Sequence, residues 1–178
     1  MKINGNHKSQ TGFTLIELMI VLLIVSVVSA IGGPIFNETI KRNRLRTQAD
    51  RILTTLNLTR SEAVKRNQSV SICRSSDGVS CTGDWEDGWI VFTNRDGDDT
   101  VDAGVDQVIR VYRGINKGYT LSGTIAASTL TYFGDGSYAG GAGTINICSP
   151  DANVEQGWSL MLNKVGRPRV KQGVSACS

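Results

Sequence analysis

Hydrophobic residues follow three different patterns along the 178-residue chain, and each pattern predicts a different element. Residues 14–32 are almost continuously apolar, with Leu, Ile and Val throughout and a single charge at Glu17. A run of about 20 apolar residues is the length that a helix needs to cross the hydrocarbon core of a bilayer. We therefore predict a transmembrane helix over residues 13–33, which Gly32, Gly33 and Pro34 should loosen or kink.

Helical periodicity continues after this apolar run, to about Asn67. Seven apolar residues recur at helical spacing: Leu45, Ala49, Ile52, Leu53, Leu56, Ala63 and Val64. Basic residues fill most of the positions between them, which is the pattern of a helix with one buried face. We predict an amphipathic stalk helix over residues 34–67 that packs on a folded domain.

From Ser69 onward, short β-branched and aromatic runs alternate with Gly, Asp, Asn and Ser. This pattern predicts seven strands of an antiparallel β-domain over residues 68–178. The predicted strands are 70–73, 89–93, 108–112, 129–133, 144–148, 158–162 and 165–170. The expected fold class is α+β, with one long N-terminal helix packed on a small antiparallel β-domain.

Charge is unevenly distributed although its sum is small. Nine carboxylates and one basic residue, Arg95, lie between Asp77 and Asp106, whereas the chain from Gln156 onward has four basic residues and no acid. Within the acidic segment, residues 94–106 resemble a calcium loop in composition, but the invariant glycine of an EF-hand is displaced and Val105 stands at the twelfth position in place of glutamate. We favour an acidic hairpin loop, since Asn, Asp and Gly are common turn residues.

Four cysteines follow the predicted membrane helix: Cys73, Cys81, Cys148 and Cys177. An even number in an exported domain indicates disulfides, and sequence alone permits three pairings. We favour Cys73–Cys81 with Cys148–Cys177, because each pair closes a local unit. A zinc site is the weaker alternative, since no CxxC spacing occurs and the single histidine is His7.

Catalytic chemistry finds little support in the residue pattern. The chain beyond residue 12 has no histidine, and it shows neither a Cys–His pair nor a phosphate-binding loop. We therefore expect no enzyme activity, no cofactor and no metal.

The segment around Gly12 carries the most specific motif. Lys8-Ser9-Gln10-Thr11-Gly12 leads into Phe13-Thr14-Leu15-Ile16-Glu17 and the apolar run. This arrangement resembles the class III signal of type IV prepilins and type II secretion pseudopilins. An ordinary membrane anchor with a stray glutamate is the alternative.

The resemblance implies a sequence of steps. A prepilin peptidase would remove the leader, residues 1–12, by cutting between Gly12 and Phe13, and Phe13 would be N-methylated. The helix would wait in the inner membrane as a single span, with the C-terminal domain in the periplasm, and then join a filament of other pilins. Glu17 would meet the terminal amine of a neighbouring subunit during assembly.

The last basic stretch forms a row of cations. In an extended chain, alternate side chains share a face, so Arg167, Arg169 and Lys171 would project together at roughly 6.6 Å intervals. Lys164 lies beside them at a turn that Gly166 can supply. These four residues are called the basic row. Such a row can follow a phosphate backbone, with each arginine offering a forked pair of donors.

Three segments resemble the GspH/FimT branch of the pilin superfamily. They are Arg60-Ser61-Glu62-Ala63-Val64-Lys65-Arg66, then Gly88-Trp89-Ile90-Val91-Phe92, then Gly166-Arg167-Pro168-Arg169, the last being similar to the GRxR motif of FimT-type minor pilins. The resemblance implies a minor pilin on a type IV pilus that binds extracellular double-stranded DNA, with little sequence preference, for uptake in natural transformation. Three alternatives stay open: a structural minor pilin that primes or caps pilus assembly, a type II secretion pseudopilin, and a basic edge strand that only blocks strand pairing.

Overall fold

The computed structural model describes residues 12–98, 100–115, 117–125, 129–150 and 157–177, and it describes the backbone but not the side chains of residues 31–38. The predicted leader, residues 1–12, therefore lies outside the described residues except for Gly12. Residues up to Ile40 form one compact unit, and Lys41–Ser178 form a second.

A single helix, α1 (Leu15–Arg66), opens the structure. Thr14 begins it by accepting the backbone N–H of Glu17 on its hydroxyl oxygen at 3.3 Å. The backbone is helical without interruption through residues 32–34. Asn67 ends the helix with a positive φ of 50°, and the next N–H, that of Gln68, donates to the carbonyl of Ala63 at 3.2 Å. No helix among the described residues combines the length and the hydropathy needed to cross a bilayer.

Among the residues that the structure describes, eight strands follow in two antiparallel sheets. Sheet 1 has the order β3-β2-β1-β5, and sheet 2 has the order β4-β6-β7-β8. The strands are β1 (Val70–Arg74), β2 (Gly88–Thr93), β3 (Val108–Arg113), β4 (Thr120–Ser122), β5 (Leu130–Tyr132), β6 (Gly143–Cys148), β7 (Trp158–Leu162) and β8 (Pro168–Gln172). The α+β fold is confirmed. Six of the seven predicted strands are present to within one residue at each end, β4 was missed, and the prediction that the last strand starts at residue 165 was wrong.

One hydrophobic core joins the second part of α1 to both sheets. Leu45, Ile52 and Leu56 of the helix are buried with residues such as Ile145 and Leu160 of sheet 2. The predicted apolar face of the helix is correct except at Val64, which is 51% exposed. The helical spacing alone could not show where the domain stops covering the helix.

A polar clamp fixes the helix to sheet 1. The guanidinium of Arg51 lies 5.0 Å from the centre of the Trp89 ring and donates to the carbonyl of Arg113 at 2.6 Å. The indole N–H of Trp89 donates to the hydroxyl of Thr55 at 3.2 Å. Burial lowers the pKa of Arg51. The backbone carbonyl and the aromatic ring that it contacts offset the cost of burying the guanidinium charge.

Both favoured disulfides, Cys73–Cys81 and Cys148–Cys177, are present. The first closes a loop behind sheet 1, where Cys73 packs with Ile90 and Phe92 in a second, smaller core. The second connects the end of β6 to the segment that follows β8. That segment therefore stays against sheet 2.

Candidate nucleic-acid interface

The basic row lies at one edge of sheet 2. Within the described ranges, β8 is the outermost strand and pairs with β7 alone, so Pro168 can be accommodated at its start without breaking a central ladder. Arg169 and Lys171 occupy alternate positions of the strand, as predicted. Lys164 lies in the preceding turn, as predicted. Arg167 also precedes the strand, because β8 begins three residues later than expected.

Cross-strand register fixes the direction of these cations. Arg169 lies opposite Met161, and Lys171 lies opposite Ser159. Directly opposed residues share a face of the sheet, and the alternate pair, Leu160 and Val170, packs on the core. Arg169 and Lys171 therefore project from the outer face of sheet 2.

The four cations are exposed and available to a ligand. Lys164, Arg167, Arg169 and Lys171 are all solvent-exposed. Within the described part of the chain, none of them forms an ion pair with a carboxylate. An anionic partner would not have to displace an internal salt bridge from this surface.

Gly166 shapes the turn between β7 and β8. Its φ of 71° lies in the left-handed region, and its N–H donates to the carbonyl of Asn163 at 2.9 Å. A Cβ atom at Gly166 would stand 2.5 Å from the Cβ of Tyr138 and 2.7 Å from a ring carbon of Tyr132. Glycine is required here both by the backbone and by the two tyrosine rings beneath it.

Two side chains that the sequence did not assign to the site hold this turn. The buried hydroxyl of Tyr132 donates to the carbonyl of Gly166 at 2.7 Å, and the side-chain oxygen of Asn163 accepts the N–H of Arg167 at 2.8 Å. Burial also raises the pKa of Tyr132, so its hydroxyl stays protonated as a donor. Asn163 could have been found from its turn-forming side chain, whereas no local signal connects Tyr132 to a glycine 34 positions away.

The acidic segment belongs to sheet 1, not to the basic row. Its last part, residues 94–106, lies between β2 and β3 and is organised by Asn94, whose amide donates to the carbonyl of Asp98 at 2.6 Å and to the hydroxyl of Ser71 at 2.9 Å. Carboxylate oxygens of Asp96, Asp98 and Asp102 lie within 4.8 Å of one another. All are largely exposed, and the charge of Asp98 raises the pKa of Asp102. The loop is an acidic connection, and exposed carboxylates by themselves assign no metal to it.

The residues predicted for processing lie at the beginning of α1. Phe13 is 84% exposed, and no described atom lies within 4 Å of where a side chain would start at Gly12. Glu17 is also exposed, in the first turn of the helix. The roles of these three residues stay predictions, as does the membrane assignment of residues 13–33.

Comparison with known proteins supplies the family. Residues 48–166, about two thirds of the chain, match the family described as Type II transport protein GspH. Residues 7–33 match the prokaryotic N-terminal methylation motif. No curated protein matches the chain.

Among solved structures, the type IV minor pilin FimU of Pseudomonas aeruginosa is similar at 23% identity and a TM-score of 0.60. The similarity covers 77% of this chain and 97% of FimU. The minor pseudopilin EpsH of the Vibrio cholerae type 2 secretion system matches at 15% identity and a TM-score of 0.49, over 72% of this chain and 97% of EpsH. Because the family match covers about two thirds of the chain, from Gln48 in α1 to Gly166 before β8, the chain belongs to the GspH family, described as Type II transport protein GspH.

Proposed function

We propose that this minor pilin binds double-stranded DNA through the basic row, for uptake of extracellular DNA in natural transformation. The observation that carries the proposal is a set of four exposed cations, on β8 and the turn before it, that form no ion pair with any carboxylate the structure describes. The family match ends at Gly166, so three of these cations lie beyond it. The proposal therefore depends on the chemistry of this surface rather than on the family.

The geometry of the row suits a phosphate backbone. Two-residue steps along a strand separate Arg169 from Lys171 by roughly 6.6 Å of backbone, and Arg167 lies one step earlier in the turn. Arginine offers two parallel donors to phosphate oxygens, and lysine adds a point charge. Phosphate contacts position a protein on DNA without reporting sequence. We expect binding with little sequence preference.

The support beneath the row limits the entropy lost on binding. Tyr132 and Asn163 fix the turn, and the disulfide between Cys148 and Cys177 ties the segment after β8 to β6. The backbone under the cations is thus ordered before DNA arrives. Only side-chain freedom has to be given up on binding, which costs less than ordering a free tail.

The acidic loop on sheet 1 would orient the protein on its ligand. A polyanion is repelled by the carboxylates between β2 and β3 and attracted by the basic row on the other sheet. The charge separation favours approach of DNA to sheet 2.

We further propose that α1 anchors the protein in the inner membrane before assembly and then enters a type IV pilus. Large apolar side chains of residues 13–28 are 47–84% exposed, which calls for a covering of lipid or of neighbouring pilins. The prepilin peptidase would cut after Gly12 and expose Phe13 for methylation.

Replacing Glu17 by Ala should leave membrane insertion intact and reduce incorporation of the protein into filaments, measured by immunoblots of sheared pili. Normal incorporation would remove the proposed pairing role.

DNA binding is tested by the salt dependence of affinity, with the full chain in nonionic detergent. Three or four phosphate contacts predict a slope of log K against log salt of roughly −3 to −4. The double variant Arg167→Gln/Arg169→Gln should flatten the slope by about two and weaken binding on the order of 50-fold at about 0.1 M salt. The matched control, Arg95→Gln/Arg110→Gln, removes the same charge from an exposed position in the acidic loop and one on β3 of sheet 1, and should bind nearly like wild type.

Cellular assays separate the proposal from its rivals. If the Arg167/Arg169 variant binds DNA like wild type, the basic row is not the interface. Cells that carry it should lose transformation and keep their pili. Loss of pili together with transformation would favour a structural minor pilin, and a secretion defect with normal transformation would favour a type II pseudopilin.

A further inference from the structure

A groove crosses the outer face of sheet 2 beside the basic row. It has a volume of about 420 Å³, and its floor consists of Thr144 on β6 with Ser159 and Met161 on β7. Lys171 and the residues after it, 172–175, form one wall. The groove is within the size range of small-ligand sites in proteins, and no role in the fold accounts for it.

Part of this wall belongs to a strap, residues 173–177, that folds back onto the sheet. Gly173 makes the reversal at a φ of 89°, and its N–H donates to the carbonyl of Gly157 at 2.7 Å. The side chain of Val174 lies against Gly157, so closely that a Cβ there would approach it to 2.8 Å. Cys177 then attaches the strap to Cys148. Because both ends of the strap are fixed, the groove is a permanent part of the fold.

The chemistry of the groove suits a singly charged anion with an attached carbon framework. Lys171 provides the positive charge, the hydroxyl of Thr144 can donate, and the thioether of Met161 offers an apolar contact. Ser159 already donates its hydroxyl hydrogen to the side-chain oxygen of Asn146 at 2.8 Å, so it can only accept. The described residues that line the groove include no carboxylate.

Register places this groove on the path of a bound DNA strand. Thr144, Met161 and Arg169 lie side by side across three strands, and Lys171 belongs to both the groove and the basic row. In duplex DNA, each sugar-phosphate backbone is a ridge between the major and minor grooves, which are about 8 Å deep. A ridge held by Arg167 and Arg169 would continue toward Lys171.

We infer that the groove seats one sugar-phosphate unit of the bound DNA strand, with its phosphodiester on Lys171 and Thr144 and its deoxyribose against Met161. This inference rests on the proposed DNA binding and extends it from a row of charges to a shaped site. It makes Thr144, two strands and roughly 10 Å from the basic edge, a contact residue. If binding depended on surface charge alone, a neutral substitution at that distance would leave the affinity for DNA unchanged.

A neutral plug tests the inference without altering any charge. Thr144→Tyr should fill the groove, weaken DNA binding about eightfold at about 0.1 M salt and flatten the salt slope by about 0.9, the loss of one phosphate contact. The matched control is Val111→Tyr, the same substitution at an exposed β-branched residue on a strand of sheet 1, which should bind like wild type. A thermal midpoint of each variant equal to that of the wild type would show that its fold is intact. If Thr144→Tyr is destabilised, Ser175→Tyr plugs the groove from the exposed strap.

A double-mutant cycle gives the second test. Lys171→Gln should flatten the slope by about 0.9 in wild type and by nothing more in the Thr144→Tyr background, because both changes remove the same phosphate contact. Arg167→Gln should flatten it in both backgrounds. Wild-type affinity and slope in Thr144→Tyr, or additive losses with Lys171→Gln, would overturn the inference while leaving DNA binding intact. Absence of salt-dependent binding by wild type would instead refute the proposed function.

Discussion

Replacement of Gly166 by alanine should destabilise the fold by two separable effects. The first is the left-handed backbone at φ 71°, which costs an L-residue about 1–2 kcal/mol. The second is steric, since the new Cβ would stand 2.5 Å from Tyr138 and 2.7 Å from the Tyr132 ring, and overpacking of this kind costs about 1–3 kcal/mol. The free energy of unfolding should fall by about 2–5 kcal/mol in total.

Gly104→Ala is the matched control for this prediction. Gly104 has a similar φ of 85°, but nothing lies within 4 Å of the added Cβ, so only the backbone cost applies. Thermal unfolding followed by circular dichroism should show a midpoint lowered by roughly 4–20 °C for Gly166→Ala and by roughly 2–8 °C for Gly104→Ala, at 2–4 °C per kcal/mol. Equal losses in the two variants would show that the tyrosine rings do not restrict position 166.

Three other predictions test different parts of the molecule. Replacing both Cys148 and Cys177 by Ala should lower stability by roughly 3–4 kcal/mol in the chain-entropy model, because the bridge spans 29 positions; an unchanged denaturation midpoint would contradict this. The side-chain and backbone donors of Ser80 hold the pKa of Asp77 well below its ordinary value, so its contribution is present at neutral pH and is lost as pH falls below about 4. Asp77→Asn should therefore lower the thermal midpoint at pH 7 with a gap that narrows in acid, and a gap independent of pH would refute the argument. Intact-mass analysis of membrane-extracted protein should give a chain that begins at methylated Phe13, and a terminus beyond residue 30 would indicate an ordinary signal peptide.

The periodicity of the sequence predicted the strands whose side chains are buried on one face of the sheet or on both. The strand at 158–162 was predicted at its observed bounds, because its apolar residues lie between clear turn signals. The short strand β4 was missed, because a strand of only three residues, enclosed by Gly118 and Gly123, gives too little pattern to recognise. The last strand was placed too early because Val165 looks like a strand residue, whereas the positive φ of Gly166 keeps it in the turn.

The geometry of the basic row was predicted only as far as local spacing reaches. Alternation along one strand gave the shared direction of Arg169 and Lys171. The donor that holds the turn, Tyr132, comes from sheet 1, and the groove exists only because β6, β7 and the strap meet in space. Such long-range contacts leave no periodic trace in the sequence. The predicted pairing of Cys148 with Cys177 was the one hint that the chain after β8 returns to the sheet.

The alternation of side chains along β7 and β8 separates two kinds of evolutionary constraint. Leu160 and Val170 pack on the core, while their neighbours Met161, Arg169 and Lys171 face outward on an edge that has no further strand beside it. A mutation at an outward position changes what the surface attracts and leaves the packing beneath it in place. Selection can therefore change the charge of this face one residue at a time while every variant along the way keeps its core. Proteins that share this scaffold can keep the same packing and differ in the charge of this outer face.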